Sequence, residues 1–415
     1  MKNILKNFLA VAMTAVLFVF SANFAAAQDD EDNAGTPGNS SWWTYDSDIQ
    51  PGACSVNDYI PLLKGRNVCV LSNQTGMINE KTHVVDTLVS LGINVVCLMS
   101  PEHGFRGQAD AGEQVGNSVD SKTGIPIRSL YGKSNLTTAQ LMDGFDVVVF
   151  DLQDVGTRFY TYYVTMINMM ANCAKYNKEF IILDRPNPLG FYVDGPVLDM
   201  KYKSGVGGLP IPIVHGMTLG ELANMANEKG WLNGGVHCSL AVVKCKNYTH
   251  AKHYKLPVKP SPNLPNMRAV YLYPSLCYFE ATDVSLGRGT DFPFQVYGSP
   301  EMKGYSFSFT PRSVPGAKNP PLLDKECFGV DLRLRPYTQE VNKRGIDLTY
   351  LIDAYNACGK GDAFFSTWFE KLMGQHYVRE MIEEGKSADE IKQRWSAEDE
   401  QFIRDRKPYL LYPEK

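Results

Sequence analysis

Short apolar runs alternate with amphipathic segments through the middle of the chain, and this alternation restricts the fold more than any other feature. Continuous Val, Ile and Leu runs separated by helices are typical of a parallel sheet that is covered on both faces. The sequence therefore predicts a Rossmann-like, doubly wound α/β domain. The predicted strands are Asn67–Ser72, Asn94–Met99, Asp146–Phe150 and Phe180–Leu183, and the predicted helices are Lys81–Leu91, Tyr162–Tyr176 and Thr218–Lys229.

The pattern changes after Leu256–Pro265, where four Pro in ten residues indicate an extended connector. Alternating strands and further helices follow it. We therefore expect residues 55–266 to form the Rossmann-like catalytic domain and residues 267–415 to form a smaller α+β domain. The segments behind the second expectation are Tyr305–Phe309 and Val330–Leu334 as strands, and Leu348–Cys358, Ala363–Met373 and Ala388–Trp395 as helices.

The first residues have the three parts of a secretory signal. Lys2 and Lys6 precede the apolar run Phe8–Phe20, and small residues follow at Ala25–Ala27. We expect residues 1–27 to be a signal peptide, residues 28–54 a flexible leader, and the protein to be exported, either periplasmic or secreted. A membrane anchor is the alternative, although the run is short for a span and no later segment is long and apolar enough to cross a bilayer.

Composition and missing motifs exclude several classes of protein. The net charge of −4 and scattered Lys and Arg predict no nucleic-acid partner. The chain contains no GxGxxG, Walker A, GxSxG or HExxH pattern, so neither a nucleotide cofactor, a serine nucleophile elbow nor a metal is expected. Nine Cys cannot all pair within one chain, and the sequence leaves a Cys238–Cys245 disulfide open.

Polar residues gather directly after three of the predicted strands. The runs are Ser100–Gly107, Asp151–Tyr160 and Asp184–Pro188. Because parallel strands end at the same edge of a sheet, and ligands bind at that edge, these runs predict one cleft.

Glu102 is the candidate general acid of this cleft. A carboxyl group in a partly apolar cleft has a raised pKa, which suits proton donation to a leaving oxygen. The alternative is a helix cap or an ion pair with Arg106. His103 either orients Glu102, binds substrate, or is a structural histidine.

The other residues of these runs are candidates for binding substrate: Asp151 and Asp154 could hold its hydroxyl groups, and Tyr160 could stack against it. Asp151 and Asp154 could instead form a structural network with Arg158 and Arg185, and the sequence does not decide between the two. The full set of substrate-binding candidates from this part of the chain is Arg106, Asp151, Gln153, Asp154, Arg158, Tyr160, Arg185 and Asn187.

The C-terminal part contributes Glu280 and Arg288. Glu280 is a candidate second catalytic carboxylate. Arg288 lies between two glycines and suits a carboxylate ligand, because its fork can bond both oxygens. A salt bridge across the domain interface is the alternative for Arg288.

Five runs together resemble the signature blocks of the NamZ-type exo-β-N-acetylmuramidases. They occur in the family's order across nearly the whole of the expected mature chain. The runs are Ser100–Gly107, Asp151–Gly156, Asp184–Pro188, His215–Thr218 and Gly287–Thr290.

The resemblance implies a glycosidase of peptidoglycan turnover. It implies an active-site cleft between a Rossmann-like domain and a smaller C-terminal domain. The expected reaction is release of non-reducing-end N-acetylmuramic acid from muropeptides or MurNAc-GlcNAc, with Glu102 as the catalytic carboxylate. A non-catalytic muropeptide-binding protein is the alternative. Retention, inversion and substrate assistance all stay open, because each depends on distances that a sequence does not give.

Overall fold

The computed structural model describes residues 48–101, 105, 118–130 and 137–415. The strands of these residues are β1 (Asn67–Ser72), β2 (Asn94–Ser100), β3 (Ser118–Val119), β4 (Pro126–Ser129), β5 (Val147–Asp151), β6 (Glu179–Leu183), β7 (Ser239–Val243), β8 (Val296–Ser299), β9 (Phe307–Phe309) and β10 (Cys327–Asp331). The α-helices are α1 (Val56–Leu63), α2 (Val84–Ser90), α3 (Thr138–Leu141), α4 (Tyr162–Lys175), α5 (Leu219–Glu228), α6 (Met267–Leu276), α7 (Tyr337–Asn342), α8 (Thr349–Cys358), α9 (Phe369–Met373), α10 (Tyr377–Glu383) and α11 (Ala388–Arg406).

The N-terminal part is built on a seven-stranded sheet in the order β3-β4-β2-β1-β5-β6-β7. Every neighbouring pair is parallel except β3 and β4. The chain builds outward from β1 to one edge and then returns to add β5 on the other side. The predicted doubly wound α/β class is therefore confirmed, and the strand order reverses between β1 and β5.

The middle strands are buried on both faces, which explains their unbroken apolar sequences. All five residues of β5 are buried. One face packs against α1 and α2 through a core that includes Tyr59, Leu63, Val85 and Leu88. Helix α5 begins with a capping box, in which Thr218 Oγ1 accepts from the Glu221 backbone N–H and the Glu221 carboxylate accepts from the Thr218 backbone N–H.

The C-terminal part contains a three-stranded antiparallel sheet, β8-β10-β9, and the helices α6 to α11. The smaller α+β region is therefore confirmed, while the boundary at residues 266 and 267 stays a prediction. The strand predicted at Val330–Leu334 lies earlier, at Cys327–Asp331, because the Asp331 side chain accepts from the Arg333 backbone and starts a 3₁₀ turn. Helix α11 extends eleven residues beyond its predicted end at Trp395.

The folded part begins before residue 55, the predicted start of the N-terminal domain. Gln50 pairs with Lys246, and the Gly52 backbone donates to the Asp184 carbonyl. A Cβ at Gly52 would lie 2.2 Å from the Val243 oxygen, so this close approach requires glycine. The segment therefore packs across the ends of β6 and β7.

All nine cysteines are free thiols in the structure, so Cys238 and Cys245 are not paired. Seven of the nine are buried, where a free cysteine packs as a small apolar side chain. Across the described ranges, no helix is both long and apolar enough to span a bilayer.

Candidate active site

The carboxyl ends of β2, β1 and β5 lie side by side where the strand order reverses. Ser72 of β1 pairs in register with Asp151 of β5, and Ser72 Oγ donates to the Asp151 carbonyl at 2.8 Å. On the other side, Leu71 pairs with Met99, which brings Ser100 next to Ser72. Open α/β sheets bind ligands at such a reversal point, so the candidate site lies at this edge of the sheet.

Asp151 and Arg185 form a buried, two-pronged ion pair at this edge. Arg185 Nε lies 2.6 Å from Asp151 Oδ1, and Nη2 lies 3.0 Å from Oδ2. Their side chains are 0% and 2% exposed. Since both carboxylate oxygens already bind Arg185, the pair holds the ends of β5 and β6 together. Of the structural network that the sequence left as one of two alternatives, the pair of Asp151 and Arg185 is present.

Gln153 and Asp154 continue the chain beyond β5 with less complete bonding. Gln153 Nε2 donates to the carbonyls of Asp154 and Pro186 at 2.8 Å each. Asp154 Oδ1 accepts from the Gly156 backbone at 2.7 Å, but Oδ2 has no hydrogen-bond partner among the described residues. Burial raises the pKa of Asp154 to about 7, although backbone N–H groups of Gly156 and Val155 oppose this. A buried carboxyl group with a raised pKa is a candidate for proton exchange.

A cavity of about 150 Å³ lies between the N-terminal and C-terminal parts. Five of the twelve described residues that line it are aromatic, and a few polar groups converge on it, as is usual for a small-molecule site. The lining residues are Phe159, Tyr160, Thr161, Tyr162, Val206, Ser261, Asn263, Leu264, Tyr273, Glu280, Arg288 and Phe294.

Hydrogen bonds connect this cavity to the reversal point of the sheet. Asn73, directly after β1, donates through Nδ2 to the Tyr162 hydroxyl at 2.8 Å. Gln74 Nε2 and the Tyr160 hydroxyl both donate to the Pro260 carbonyl, at 3.3 and 2.8 Å. The proline-rich connector is thereby fixed against the sheet, with its residue Ser261 in the cavity wall.

Glu280 and Arg288 supply the charges of the cavity wall. Arg288 Nε and Nη2 both donate to Glu280 Oε1, at 2.8 and 2.5 Å. The guanidinium also lies 5.1 Å from the centre of the Phe294 ring. The Glu280 and Arg288 side chains are 31% and 18% exposed, so this pair, unlike Asp151 and Arg185, is open to a ligand. The salt bridge considered for Arg288 exists, but it lies within the C-terminal part.

Arg158 and Asn187 do not line the cavity. Arg158 is completely buried, and its Nη1 and Nη2 donate to the carbonyls of Pro196, Ile211, Leu372 and Met373. It therefore joins the N-terminal part to α9, which corrects the substrate-binding role that the sequence assigned to it.

Asn187 has a similar local role. It donates to the Met217 carbonyl and accepts from the Leu189 backbone, so both ends of its amide are occupied. A Cβ at Gly156 would lie 2.1 Å from Asn187 Oδ1, and Gly156 has a φ of +84°. The Asp154–Gly156 turn and the Asn187 loop are therefore packed against each other, and the predicted substrate contact of Asn187 is not supported by this placement.

Comparison with known proteins identifies the family of the chain. Two models of the exo-β-N-acetylmuramidase NamZ match it, the N-terminal one over residues 68–268 and the C-terminal one over residues 271–412. The peptidoglycan β-N-acetylmuramidase NamZ of Bacillus subtilis is 37% identical over 374 residues, which cover 86% of this chain and 89% of that protein. The chain belongs to this family of glycoside hydrolases.

Two solved structures share the fold of this family member. Both are DUF1343 family proteins of Bacteroides fragilis. One is 56% identical with a TM-score of 0.82 and covers 89% of this chain and 100% of its own. The other is 27% identical with a TM-score of 0.72 and covers 88% and 99%.

Three predicted residues, Glu102, His103 and Arg106, lie outside the described residues. Their neighbours Ser100 and Phe105 are both buried, and the Phe105 ring meets the His83 ring edge-on, with 5.3 Å between the ring centres.

Within the described part of the chain, no group of three or more His, Cys, Asp or Glu is placed to hold a metal ion.

The sequence reading missed Asn73, Gln74, Ser261, Asn263 and Tyr273. Asn73 and Gln74 follow β1 just as Gln153 and Asp154 follow β5. Because polar residues directly after a strand were taken as candidates, Asn73 and Gln74 could have been predicted in the same way. Ser261, Asn263 and Tyr273 join the site only through the position of the connector, for which the sequence carries no comparable signal.

Proposed function

We propose that this glycosidase releases N-acetylmuramic acid from the non-reducing end of peptidoglycan fragments, with Glu102 as the general acid. The cavity between the two parts, with its aromatic side chains and its arginine–carboxylate pair, supports the proposal. A partly open cavity of this kind suits the terminal sugar of a chain, and its aromatic side chains suit the apolar faces of a pyranose ring. Muropeptides and MurNAc-GlcNAc are the substrates that this arrangement would accept.

Arg288 would recognise the lactyl carboxylate that distinguishes muramic acid from other amino sugars. Its Nε and Nη2 both donate to one oxygen of Glu280, and its Nη1 donates to none of the described residues. A guanidinium binds a carboxylate through charge-assisted hydrogen bonds. Glu280 then acts by positioning Arg288 rather than as a catalytic group, because Arg288 already occupies Oε1 twice.

Glu102 would protonate the glycosidic oxygen as the bond to the anomeric carbon breaks. It stands two residues after Ser100, which ends β2 at the reversal point. His103 would orient the Glu102 carboxyl group, and Arg106 would contribute a second cation. Tyr160 would form part of the sugar-binding wall, where its hydroxyl is held by Pro260.

The test is hydrolysis of para-nitrophenyl β-N-acetylmuramide by the wild type, Glu102→Gln and Glu280→Gln, with the N-acetylglucosaminide as control substrate. We expect cleavage of the muramide only, and a loss of about 10²-fold or more in kcat for Glu102→Gln. The Glu280→Gln variant should mainly raise KM. A wild type that binds muropeptides but cleaves neither sugar would contradict the proposal and favour a binding protein.

We further propose that the chain is exported and that the signal peptide ends at Ala27. This rests on the sequence pattern of residues 1–27 alone. Amino-terminal sequencing of the protein from periplasmic and culture fractions should find Gln28 as the first residue. Recovery of the protein in the cytoplasm with Met1 intact would contradict export.

A further inference from the structure

The loop of residues 286–294 supplies both Arg288 and Phe294 to the cavity wall. Its ends are joined by the Phe294 backbone N–H, which donates to the Leu286 carbonyl at 2.7 Å. Gly287 and Gly289, on either side of Arg288, have left-handed φ angles of +86° and +82°, which glycine adopts without strain. Arg288 and Phe294 therefore lie on the two arms of one closed loop.

Phe294 has a backbone conformation that a bulky residue rarely adopts. Its φ is +59°, in the left-handed region, where a bulky side chain persists only when the surrounding structure holds it. Of the described non-glycine residues with a positive φ, Phe294 and Leu322 are bulky, and the others are Asn or Asp, which tolerate this region better. Phe294 lines the cavity, whereas Leu322 does not. Since strained residues cluster at ligand-binding sites, the position of the Phe294 ring calls for a functional explanation.

The Phe294 ring supports the Arg288 guanidinium. The guanidinium carbon lies 5.1 Å from the ring centre, within the range in which a ring face attracts a cation. Phe294 is 1% exposed, and its ring meets the Tyr273 ring at 62°, with 4.9 Å between the centres. Glu280 Oε1 accepts from Nε and Nη2 of the same guanidinium. A carboxylate and a packed ring thus hold Arg288, and Nη1 is left for a ligand.

A second arginine close to this loop provides an internal comparison. The Arg333 guanidinium carbon lies 3.8 Å from the centre of the Phe292 ring. Arg333 Nε and Nη2 each donate to one oxygen of Asp331, at 2.9 and 2.7 Å. None of these three residues lines the cavity. Phe292 is therefore a matched control, because its ring also lies against a paired arginine but away from the candidate site.

We propose that Phe294 is a positioning residue that sets the preference of the enzyme for a sugar that carries a carboxylate. This inference rests on the proposed function, in which Arg288 recognises the lactyl carboxylate. The closed loop fixes the Phe294 ring, and the ring and Glu280 together fix the plane of the guanidinium. An arginine that is already held in its binding conformation loses less conformational entropy when the ligand arrives. The ring therefore favours acidic sugars over uncharged ones.

The test compares hydrolysis of para-nitrophenyl β-N-acetylmuramide and of its lactyl amide by the wild type, Phe294→Leu and the control Phe292→Leu. Leucine keeps an apolar side chain at each position but has no ring. In Phe294→Leu, we expect the ratio of kcat/KM for the acid to that for the amide to fall about 3- to 10-fold, mainly through a higher KM for the acid. Phe292→Leu should keep the wild-type ratio, and thermal melting checks that both variants fold.

A second replacement at position 294 keeps the shape of the side chain. A trifluorinated phenylalanine has a ring of nearly the same size, but its fluorine atoms withdraw electron density from the ring face that attracts the cation. The preference for the acid should fall here as well, whereas a ring that only fills space would leave it unchanged. If the trifluorinated protein and a folded Phe294→Leu both keep the wild-type ratio, this inference is overturned while the proposed function stands. A wild type that cleaves the acid no better than the amide would instead remove carboxylate recognition from the proposed function, and this inference would fall with it.

Discussion

Two arginine–carboxylate pairs of this protein have nearly the same hydrogen-bond lengths but opposite surroundings. Asp151 and Arg185 are almost completely removed from solvent at the sheet edge, whereas Glu280 and Arg288 remain partly exposed in a cavity wall. In the first pair each carboxylate oxygen is bound, and in the second one oxygen takes both bonds. The difference teaches that burial and unused bonding capacity, rather than the presence of an ion pair, separate a structural pair from a ligand-binding one.

Removing one partner of the buried pair should give the largest effect on stability. Asp151→Asn leaves the Arg185 guanidinium buried without a counter-charge, and breaking a buried pair in this way costs about 3–5 kcal/mol. Urea denaturation of Asp151→Asn and Glu280→Gln measures the contrast. A loss of less than about 1 kcal/mol in Asp151→Asn would place the two pairs in the same class.

Asp154 has no ion-pair partner in the described part of the chain, and it should make stability depend on pH. Its pKa is about 7 in the folded state, against an ordinary value of 3.8. The folded protein therefore holds this proton more tightly than the unfolded chain does. The resulting stabilisation is complete below about pH 4 and is lost as the pH rises through 7.

The Asp154→Asn variant should lack this slope. Urea denaturation at several values between pH 4 and pH 8 should show the wild type losing stability relative to the variant, by on the order of a few kcal/mol in total. Parallel pH profiles for the two proteins would show that Asp154 does not titrate in this range.

The fold of the N-terminal part could be predicted because its strands are buried on both faces. Strands such as β1 and β5 read as continuous apolar runs, and their predicted bounds lie within one residue of the observed ones. Strands β4 and β8 were missed because they have only four residues each, and β7 was missed because it is only partly buried. The bounds in the C-terminal part shifted where side chains such as Asp331 start turns.

The sequence predicted the location of the site more accurately than it predicted the contacts of its individual side chains. The rule that strand ends converge led to the reversal point and to the cavity beside it. Charge and residue type could not show that Arg158 points into the core, because a buried arginine bound by four carbonyls has the same sequence signature as a ligand-binding one. Such assignments depend on contacts between residues distant in sequence, such as Arg158 and Leu372.

A third buried carboxylate, that of Asp184, binds the C-terminal end of the chain. Asp184 Oδ2 accepts from the Tyr412 hydroxyl at 2.7 Å, and the same hydroxyl accepts from the Cys245 backbone at 2.9 Å. Tyr412→Phe removes both bonds and should cost about 1.5–3 kcal/mol. Calorimetric melting measures this, and a Tyr409→Phe variant serves as the partly exposed control. An unchanged melting temperature would mean that the C-terminal segment is not part of the N-terminal core.

Replacing Arg185 or Arg288 by lysine compares the two pairs most directly, because the positive charge is kept and only the planar guanidinium fork is lost. In Arg185→Lys the buried two-pronged geometry cannot be reproduced, so stability should fall. In Arg288→Lys the exposed pair contributes at most about 1 kcal/mol to stability, and the melting temperature should change little. Substrate binding should nevertheless weaken, with KM for the muramide raised about 10-fold, because lysine cannot bond Glu280 and the lactyl group in the same arrangement.

Steady-state kinetics with a muramide and with its lactyl amide shows whether Arg288 recognises the lactyl carboxylate or only shapes the cavity. If Arg288 reads the carboxylate, the variant loses its preference for the acid over the amide. If both substrates weaken equally, Arg288 shapes the cavity without recognising the acid, and its pair with Glu280 then belongs with the structural one.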